Sequence, residues 1–93
     1  MDLQETHPLL FDFFAGYFPD ADLDGLTDKE VVFRFMEQNT PEIVSETQNA
    51  LTTLNNDPIV LQNIADEANR YFESSEEIMK WLEMIKETFN TNL

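Results

Sequence analysis

The 93-residue chain contains no cysteine. This excludes disulfide bonds, thiolate metal sites and cysteine nucleophiles, and it is compatible with a reducing cytoplasm. Long apolar runs are also absent, because the stretch from Pro8 to Phe18 covers only 11 residues and is interrupted by Asp12. A bilayer-spanning helix needs about 20 apolar residues. The first residues, MDLQETHPLLFDFF, are acidic where a secretory signal is positively charged. We therefore expect a cytoplasmic protein with no membrane partner.

Basic residues are scarce. The chain has 5 Lys and Arg against 19 Asp and Glu, which gives a formal net charge of −14 at pH 7. Nucleic acids and anionic membranes are bound through Lys and Arg, so neither is predicted as a direct partner. A positively charged protein partner is favoured, and close self-association is disfavoured, so we expect a monomer. The alternative is that the charge serves only to keep a small protein in solution.

Glycine occurs only at positions 16 and 25, and no alternation of apolar and polar residues persists over the length of a strand. Apolar residues instead recur at helical spacing, and proline or capping residues mark the starts of the helices. The predicted buried stripes of the five helices are, in order, Leu10, Phe13, Phe14 and Tyr17; Val31, Val32, Phe35 and Met36; Ile43, Thr47, Ala50, Leu51 and Leu54; Leu61, Ile64, Ala65, Ala68 and Phe72; and Ile78, Trp81, Leu82, Ile85 and Phe89. The predicted starts are Pro8, Thr27 with Glu30, Thr40-Pro41, Asp57-Pro58 and Ser74 with Glu77. The first helix is predicted to end at Pro19. The sequence thus predicts one all-α domain over residues 1–93, a compact bundle of about five short helices.

Residues 20–25 read DADLDG, which matches the first half of an EF-hand calcium loop. Counting from Asp20 puts Val31 at the twelfth position, where a bidentate glutamate belongs, and Glu30 lies one place early. The predicted capping box with Thr27 explains Glu30 without a metal. We therefore interpret the stretch as an acidic loop between the first two helices, with a single calcium site as the alternative.

No catalytic constellation is evident in the sequence. The only histidine, His7, stands beside Pro8 near the N-terminus, and no second group is tied to it by spacing. No glycine-rich phosphate loop occurs. The sequence predicts a protein that is not an enzyme and that needs no cofactor or metal.

The order of aromatic and acidic segments resembles a known family. FFAGYF, DADLDG, TDKEVVFRF and finally NRYFESSEEIMKWLEMI follow one another as in the small helical immunity proteins of bacterial contact-dependent growth inhibition systems. The resemblance extends from about residue 9 to residue 89. Its best-matching positions are Tyr17-Phe18 followed by Leu23-Asp24, then Val31-Val32, then Tyr71-Phe72 followed by Trp81-Leu82. Two departures are Pro19 directly after Tyr17-Phe18, and Asn69-Arg70 where a glycine is expected.

The resemblance implies a cytoplasmic antitoxin that binds the C-terminal toxin domain of a cell-surface effector. Such toxins are frequently nucleases, some of them ribonucleases, and a nuclease has a basic surface that an acidic protein can cover. No family motif marks the contact residues, so charge alone selects them: Asp20, Asp22, Asp24, Asp28, Glu73, Glu76 and Glu77. The neighbouring aromatic residues Tyr17, Phe18, Tyr71 and Phe72 are expected in the core, with an exposed tyrosine edge as the alternative. An acidic adaptor or nucleic-acid mimic that occupies a basic groove of another protein also fits the charge.

Overall fold

Six α-helices form the described part of the chain, which in the computed structural model comprises residues 3–54 and 57–91. They are α1 (Leu3–Thr6), α2 (Pro8–Asp24), α3 (Asp28–Gln38), α4 (Pro41–Thr52), α5 (Pro58–Glu67) and α6 (Ser75–Thr91). These residues contain no strand, so the predicted all-α class is confirmed. The element that was not predicted is the single turn α1. Over the same residues, no helix has both the length and the apolarity to cross a bilayer.

Side-chain caps start the helices where the sequence predicts them. The Thr27 hydroxyl accepts a hydrogen bond from the Glu30 N–H at 3.2 Å, and the Glu30 carboxylate accepts one from the Thr27 N–H at 3.0 Å. This is a complete capping box at the start of α3. Thr40 and Asp57 cap α4 and α5 through their side-chain oxygens, each directly ahead of a proline. Local chemistry therefore sets these boundaries.

The predicted end of the first helix is wrong, because α2 continues through Pro19 to Asp24. Proline lacks the N–H that would bond the carbonyl four residues earlier, which usually breaks a helix. Here the turn after the proline is held by packing, since Ala21 is fully buried. It is also held by a left-handed cap at Gly25 (φ 71°), after which the Leu26 N–H donates to the Ala21 carbonyl at 3.0 Å. The stretch DADLDG is consequently the last turn of a helix and its cap.

Aromatic rings fill the centre between α2 and α6. The ring centroids lie 5.5 Å apart for Phe14 and Trp81, 5.4 Å for Phe18 and Trp81, and 5.5 Å for Phe13 and Phe89. Tilted and edge-on ring pairs at such distances contribute about 0.5–1.5 kcal/mol each beyond their buried area. Helix α2 also packs against α1, α3, α4 and α5, and α6 packs against α3, α4 and α5. These two helices are therefore the centre of the bundle.

The predicted apolar stripe of each helix faces this core. Helix α6 illustrates this, because Ile78, Trp81, Leu82, Ile85 and Phe89 are all buried as predicted. Buried positions on α2 to α5 include Leu10, Phe13, Phe14, Val31, Val32, Phe35, Thr47, Leu51, Leu61, Ile64 and Ala65. The assignment of core positions from helical periodicity is thus confirmed for the main stripes.

Candidate functional site

The two acid-bearing segments, distant in the sequence, lie together at one end of the molecule. A guanidinium nitrogen of Arg70, Nη2, lies 2.7 Å from Asp28 Oδ1. The indole Nε1 of Trp81 donates a hydrogen bond of 2.7 Å to Asp28 Oδ2. The Arg70 guanidinium also lies over the Phe18 ring, 5.5 Å from its centroid. These contacts hold the connection between α5 and α6 (residues 68–74) against the turn between α2 and α3.

Asp28 is the centre of this junction. Its side chain is 24% exposed and that of Arg70 17%, and the same carboxylate binds Trp81. A half-buried carboxylate with these partners is costly to desolvate or to separate from them. We therefore assign Asp28 an internal, positioning role, and the partner contact expected from its charge stays a prediction.

The aspartates at the end of α2 do not lie on a loop as predicted, since the helix runs to Asp24. Asp20 and Asp24 are exposed, whereas the side chain of Asp22 lies outside the described part of the structure. Asp24 pairs with Arg34 at 3.0 Å, with 54% and 36% of the two side chains exposed. One charge of this first cluster is thus partly neutralised from within the chain.

Helical backbone also argues against the EF-hand interpretation. Successive alternate residues of a helix point about 200° apart, whereas the calcium loop needs them to converge on one ion. In the described residues, no three carboxylate or imidazole side chains are placed to hold a metal ion. Glu30 belongs to the capping box, and hydrogen bonds from Thr27, chiefly its backbone N–H, hold the pKa of Glu30 below its ordinary value of 4.5.

The second acidic cluster is Glu73, Glu76 and Glu77, and all three side chains are exposed. The Ser74 hydroxyl accepts from the Glu77 N–H at 3.4 Å, as the predicted capping box requires. The Glu77 carboxylate, however, accepts from the Glu73 N–H at 2.9 Å and not from Ser74. Within residues 3–54 and 57–91, no Lys or Arg forms an ion pair with any of these glutamates. None of the three charges is thus neutralised by an ion pair within the described part of the chain.

Two large apolar side chains at the surface adjoin these clusters. Tyr71 is 88% exposed, so the alternative of an exposed tyrosine holds for it in place of the expected core position, while Phe72 beside it packs on Trp81 with ring centroids 5.4 Å apart. Leu23, also 88% exposed, lies on the last turn of α2. Its exposure follows from helical geometry, since Ala21, two residues earlier, faces the core. The sequence predicts this exposure of Leu23 only if the helix continues past Pro19.

The connection that carries Tyr71 has a fixed backbone. Asn69 adopts the left-handed conformation (φ 57°), and the Arg70 N–H donates to the Ala65 carbonyl at 2.9 Å. This is a Schellman-type end of α5, in which asparagine occupies the position where a glycine was expected. A shallow depression of about 190 Å³ lies beside it, lined by Asp66, Asn69, Arg70 and Tyr71.

One end of the chain thus carries two acidic clusters and two exposed apolar side chains. No family model, no curated protein and no solved structure matches it, so its function is inferred from its own sequence and structure.

Proposed function

We propose that this chain is an immunity protein of a bacterial contact-dependent growth inhibition system. In this proposal it acts in the cytoplasm, where it binds and neutralises the C-terminal toxin domain of a cognate effector. The toxin is a nuclease with a positively charged substrate-binding surface. The protein itself carries out no reaction in this role and needs no cofactor.

The proposal rests on the net charge of the chain together with the positions of its acidic residues. A net charge of −14 on 93 residues raises the rate of encounter with a basic surface and disfavours nucleic acid as a direct ligand. Exposed carboxylates on two segments lie at one end of the bundle, where the Arg70–Asp28 ion pair joins those segments. A nuclease must be basic where it binds its polyanionic substrate, so an acidic protein can compete for that surface.

Charge alone fits many acidic proteins, and the sequence pattern narrows the choice. The succession of Tyr17-Phe18, Val31-Val32, Tyr71-Phe72 and Trp81-Leu82 is similar to that of immunity proteins of these systems. Val31, Val32 and Trp81 belong to the buried core, which is consistent with a shared pattern of packing positions. This pattern supports the antitoxin role over an acidic adaptor of other function.

The test is a binding and inhibition assay with the toxin domain of the effector encoded beside this chain. Purified toxin domain is mixed with the chain at increasing molar ratio, and degradation of RNA and of DNA is followed. We expect a stable one-to-one complex and loss of nuclease activity at equal molar ratio. Which of the two substrates is protected identifies the toxin class.

Two controls separate inhibition from general charge effects. An unrelated acidic protein of similar size is added at the same ratio, and a nuclease of another class replaces the toxin domain. Neither combination is expected to lose activity. If this chain leaves the neighbouring toxin domain active and does not bind it, while capturing a different basic protein, the antitoxin proposal is wrong and the adaptor alternative replaces it.

A further inference from the structure

We propose that Tyr71 is the anchor by which this chain docks on a positively charged protein surface, with Glu73 and Glu76 as the charged rim. The inference rests on the proposed function, because the toxin domain is the first partner with which it is tested. It specifies which surface and which residue make the contact. Charge alone does not choose between this surface and the aspartates of α2.

The first argument is that the side chain of Tyr71 is exposed on a backbone that is anchored on both sides. Its neighbours on both sides are anchored: Arg70 pairs with Asp28 at 2.7 Å, and the Phe72 ring lies 5.4 Å from that of Trp81. Tyr71 itself is 88% exposed. A tyrosine loses few rotatable bonds on binding and offers both an apolar ring and a polar hydroxyl, which is why this residue type is frequent among binding hot spots. Fixed backbone on both sides further lowers the entropy lost when a partner binds.

The second argument is charge complementarity. Glu73 and Glu76 are exposed within five positions of Tyr71, and in the described residues neither is paired with a Lys or Arg. The other exposed apolar residue beside acids, Leu23, adjoins Asp24, which is already paired with Arg34 at 3.0 Å. Uncompensated charge around an aromatic side chain fits a partner face with Lys or Arg around an apolar pocket. A second copy of this chain, with the same net charge of −14, is a poor occupant.

Glu77 is left out of the rim because its carboxylate accepts the Glu73 N–H at 2.9 Å. Changing it would disturb the start of α6 as well as the surface charge. Glu73→Gln and Glu76→Gln change only exposed carboxylates and leave that hydrogen bond in place. They are therefore the suitable pair for a test of the rim.

The experiment measures association and dissociation rates of the toxin domain with Tyr71→Ala, Tyr71→Phe, Leu23→Ala and Ile59→Ala variants. Ile59, 70% exposed, is the matched control, and Leu23, 88% exposed, is the rival apolar residue beside the first acidic cluster; both variants lose a large apolar side chain. We expect Tyr71→Ala to raise Kd by about 30-fold or more, mainly through faster dissociation, and Tyr71→Phe to retain most of the affinity. Ile59→Ala is expected to change Kd by less than about threefold, and Leu23→Ala is expected to affect it much less than Tyr71→Ala. The double Glu73→Gln, Glu76→Gln variant is expected to associate more slowly and with a weaker salt dependence.

Several results would overturn this inference while leaving the antitoxin role intact. One is a Tyr71→Ala variant with the melting temperature and the toxin affinity of the wild type. Another is a loss of affinity that appears in Leu23→Ala and not in Tyr71→Ala. A concentration-dependent dimer that Tyr71→Ala abolishes would assign the residue to self-association.

If the wild-type chain does not bind the toxin domain, the proposed function fails, and the same variants are measured against the basic protein that the chain does capture. Loss of that complex in Tyr71→Ala alone supports the anchor. Equal binding by all variants, or the absence of any basic partner, overturns it.

Discussion

The indole N–H of Trp81 donates a 2.7 Å hydrogen bond to the carboxylate of Asp28, 53 positions earlier in the chain. The same carboxylate forms the ion pair with Arg70, so one side chain receives donors from α6 and from the connection between α5 and α6. Asp28 is also in the first turn of α3, where a negative charge interacts favourably with the helix dipole. Three segments therefore depend on one carboxylate for their relative position.

Replacing this carboxylate should cost much more stability than replacing an exposed one. We expect Asp28→Asn to lower the free energy of unfolding by about 2 kcal/mol, because it removes the charge of a half-buried carboxylate that accepts hydrogen bonds from both Arg70 and Trp81. Asp24→Asn is the matched control, since it removes the same charge from an exposed pair and should change stability by less than about 0.5 kcal/mol. Urea denaturation of both variants measures the difference. Equal losses of stability would show that the contacts of Asp28 contribute no more than an exposed ion pair does.

The left-handed caps at Gly25 and Asn69 should respond oppositely to substitution. Gly25→Ala places a β-carbon on a residue with φ 71° and should destabilise the fold by about 1 kcal/mol, although no atom lies within 4 Å of that position. Asn69→Gly, at φ 57°, should be neutral or slightly stabilising. Thermal unfolding of the two variants checks this. A stabilised Gly25→Ala variant would mean that the turn can adopt another conformation.

The hydroxyl of Thr47 provides a third test. It is fully buried and has no hydrogen-bond partner among the described residues, whereas the Thr88 hydroxyl donates to the Met84 carbonyl at 2.8 Å. Thr47→Val keeps the shape and removes the unsatisfied group, so we expect about 1 kcal/mol of added stability. Thr88→Val, the control, should bring no such gain. A destabilised Thr47→Val variant would indicate that this hydroxyl is satisfied in solution.

The lowered pKa of Glu30 predicts a pH dependence. Because the folded state holds this carboxyl below its ordinary value of 4.5, it binds protons less readily than the unfolded chain. The resulting stability is present above pH 4.5 and is lost as the pH falls below it. Glu30→Gln can still accept the Thr27 N–H but does not titrate. The difference in free energy of unfolding between the wild type and this variant should therefore be largest at about pH 6 and shrink on acidification. Urea denaturation across a pH series measures it. A stability difference that stays constant with pH would contradict the lowered pKa of Glu30.

The aspartates of α2 give a kinetic prediction. Changing Asp20, Asp22 and Asp24 together to Asn should slow association with the toxin domain and reduce its salt sensitivity, with a smaller effect on dissociation. Stopped-flow binding at low and high salt measures both. The charge-matched control changes Asp12 to Asn and Glu46 and Glu87 to Gln, three exposed acids on other segments of the chain. Equal slowing in the two triple variants would mean that net charge, and not this cluster, controls the encounter.

Local signals predicted most of the fold. The capping box at Thr27, the prolines after Thr40 and Asp57 and the stripe of α6 all lie where the sequence placed them, because each depends on residues within one or two helical turns. Pro19 misled the prediction, since the contacts that keep α2 helical come from the buried Ala21 and the cap at Gly25. Helix propensity was overridden by tertiary packing.

The candidate site was harder to predict. Charge identified both acidic clusters, but it could not distinguish the exposed Glu76 from the half-buried Asp28, since the partners Arg70 and Trp81 are 42 and 53 positions away. The exposure of Tyr71 was predicted only as an alternative, for a similar reason. Only one of the adjacent rings Tyr71 and Phe72 can face Trp81, and the left-handed turn at Asn69 decides which.

Trp81 is the only tryptophan in the chain, and its indole contacts Phe18, Phe72 and the carboxylate that binds Arg70. Its emission therefore reports on the acidic end of the molecule, at the place where that end meets the aromatic core. The fluorescence of Trp81 can therefore be used with unlabelled protein to follow loss of the Asp28 ion pair and global unfolding. The same signal can follow the proposed docking at Tyr71.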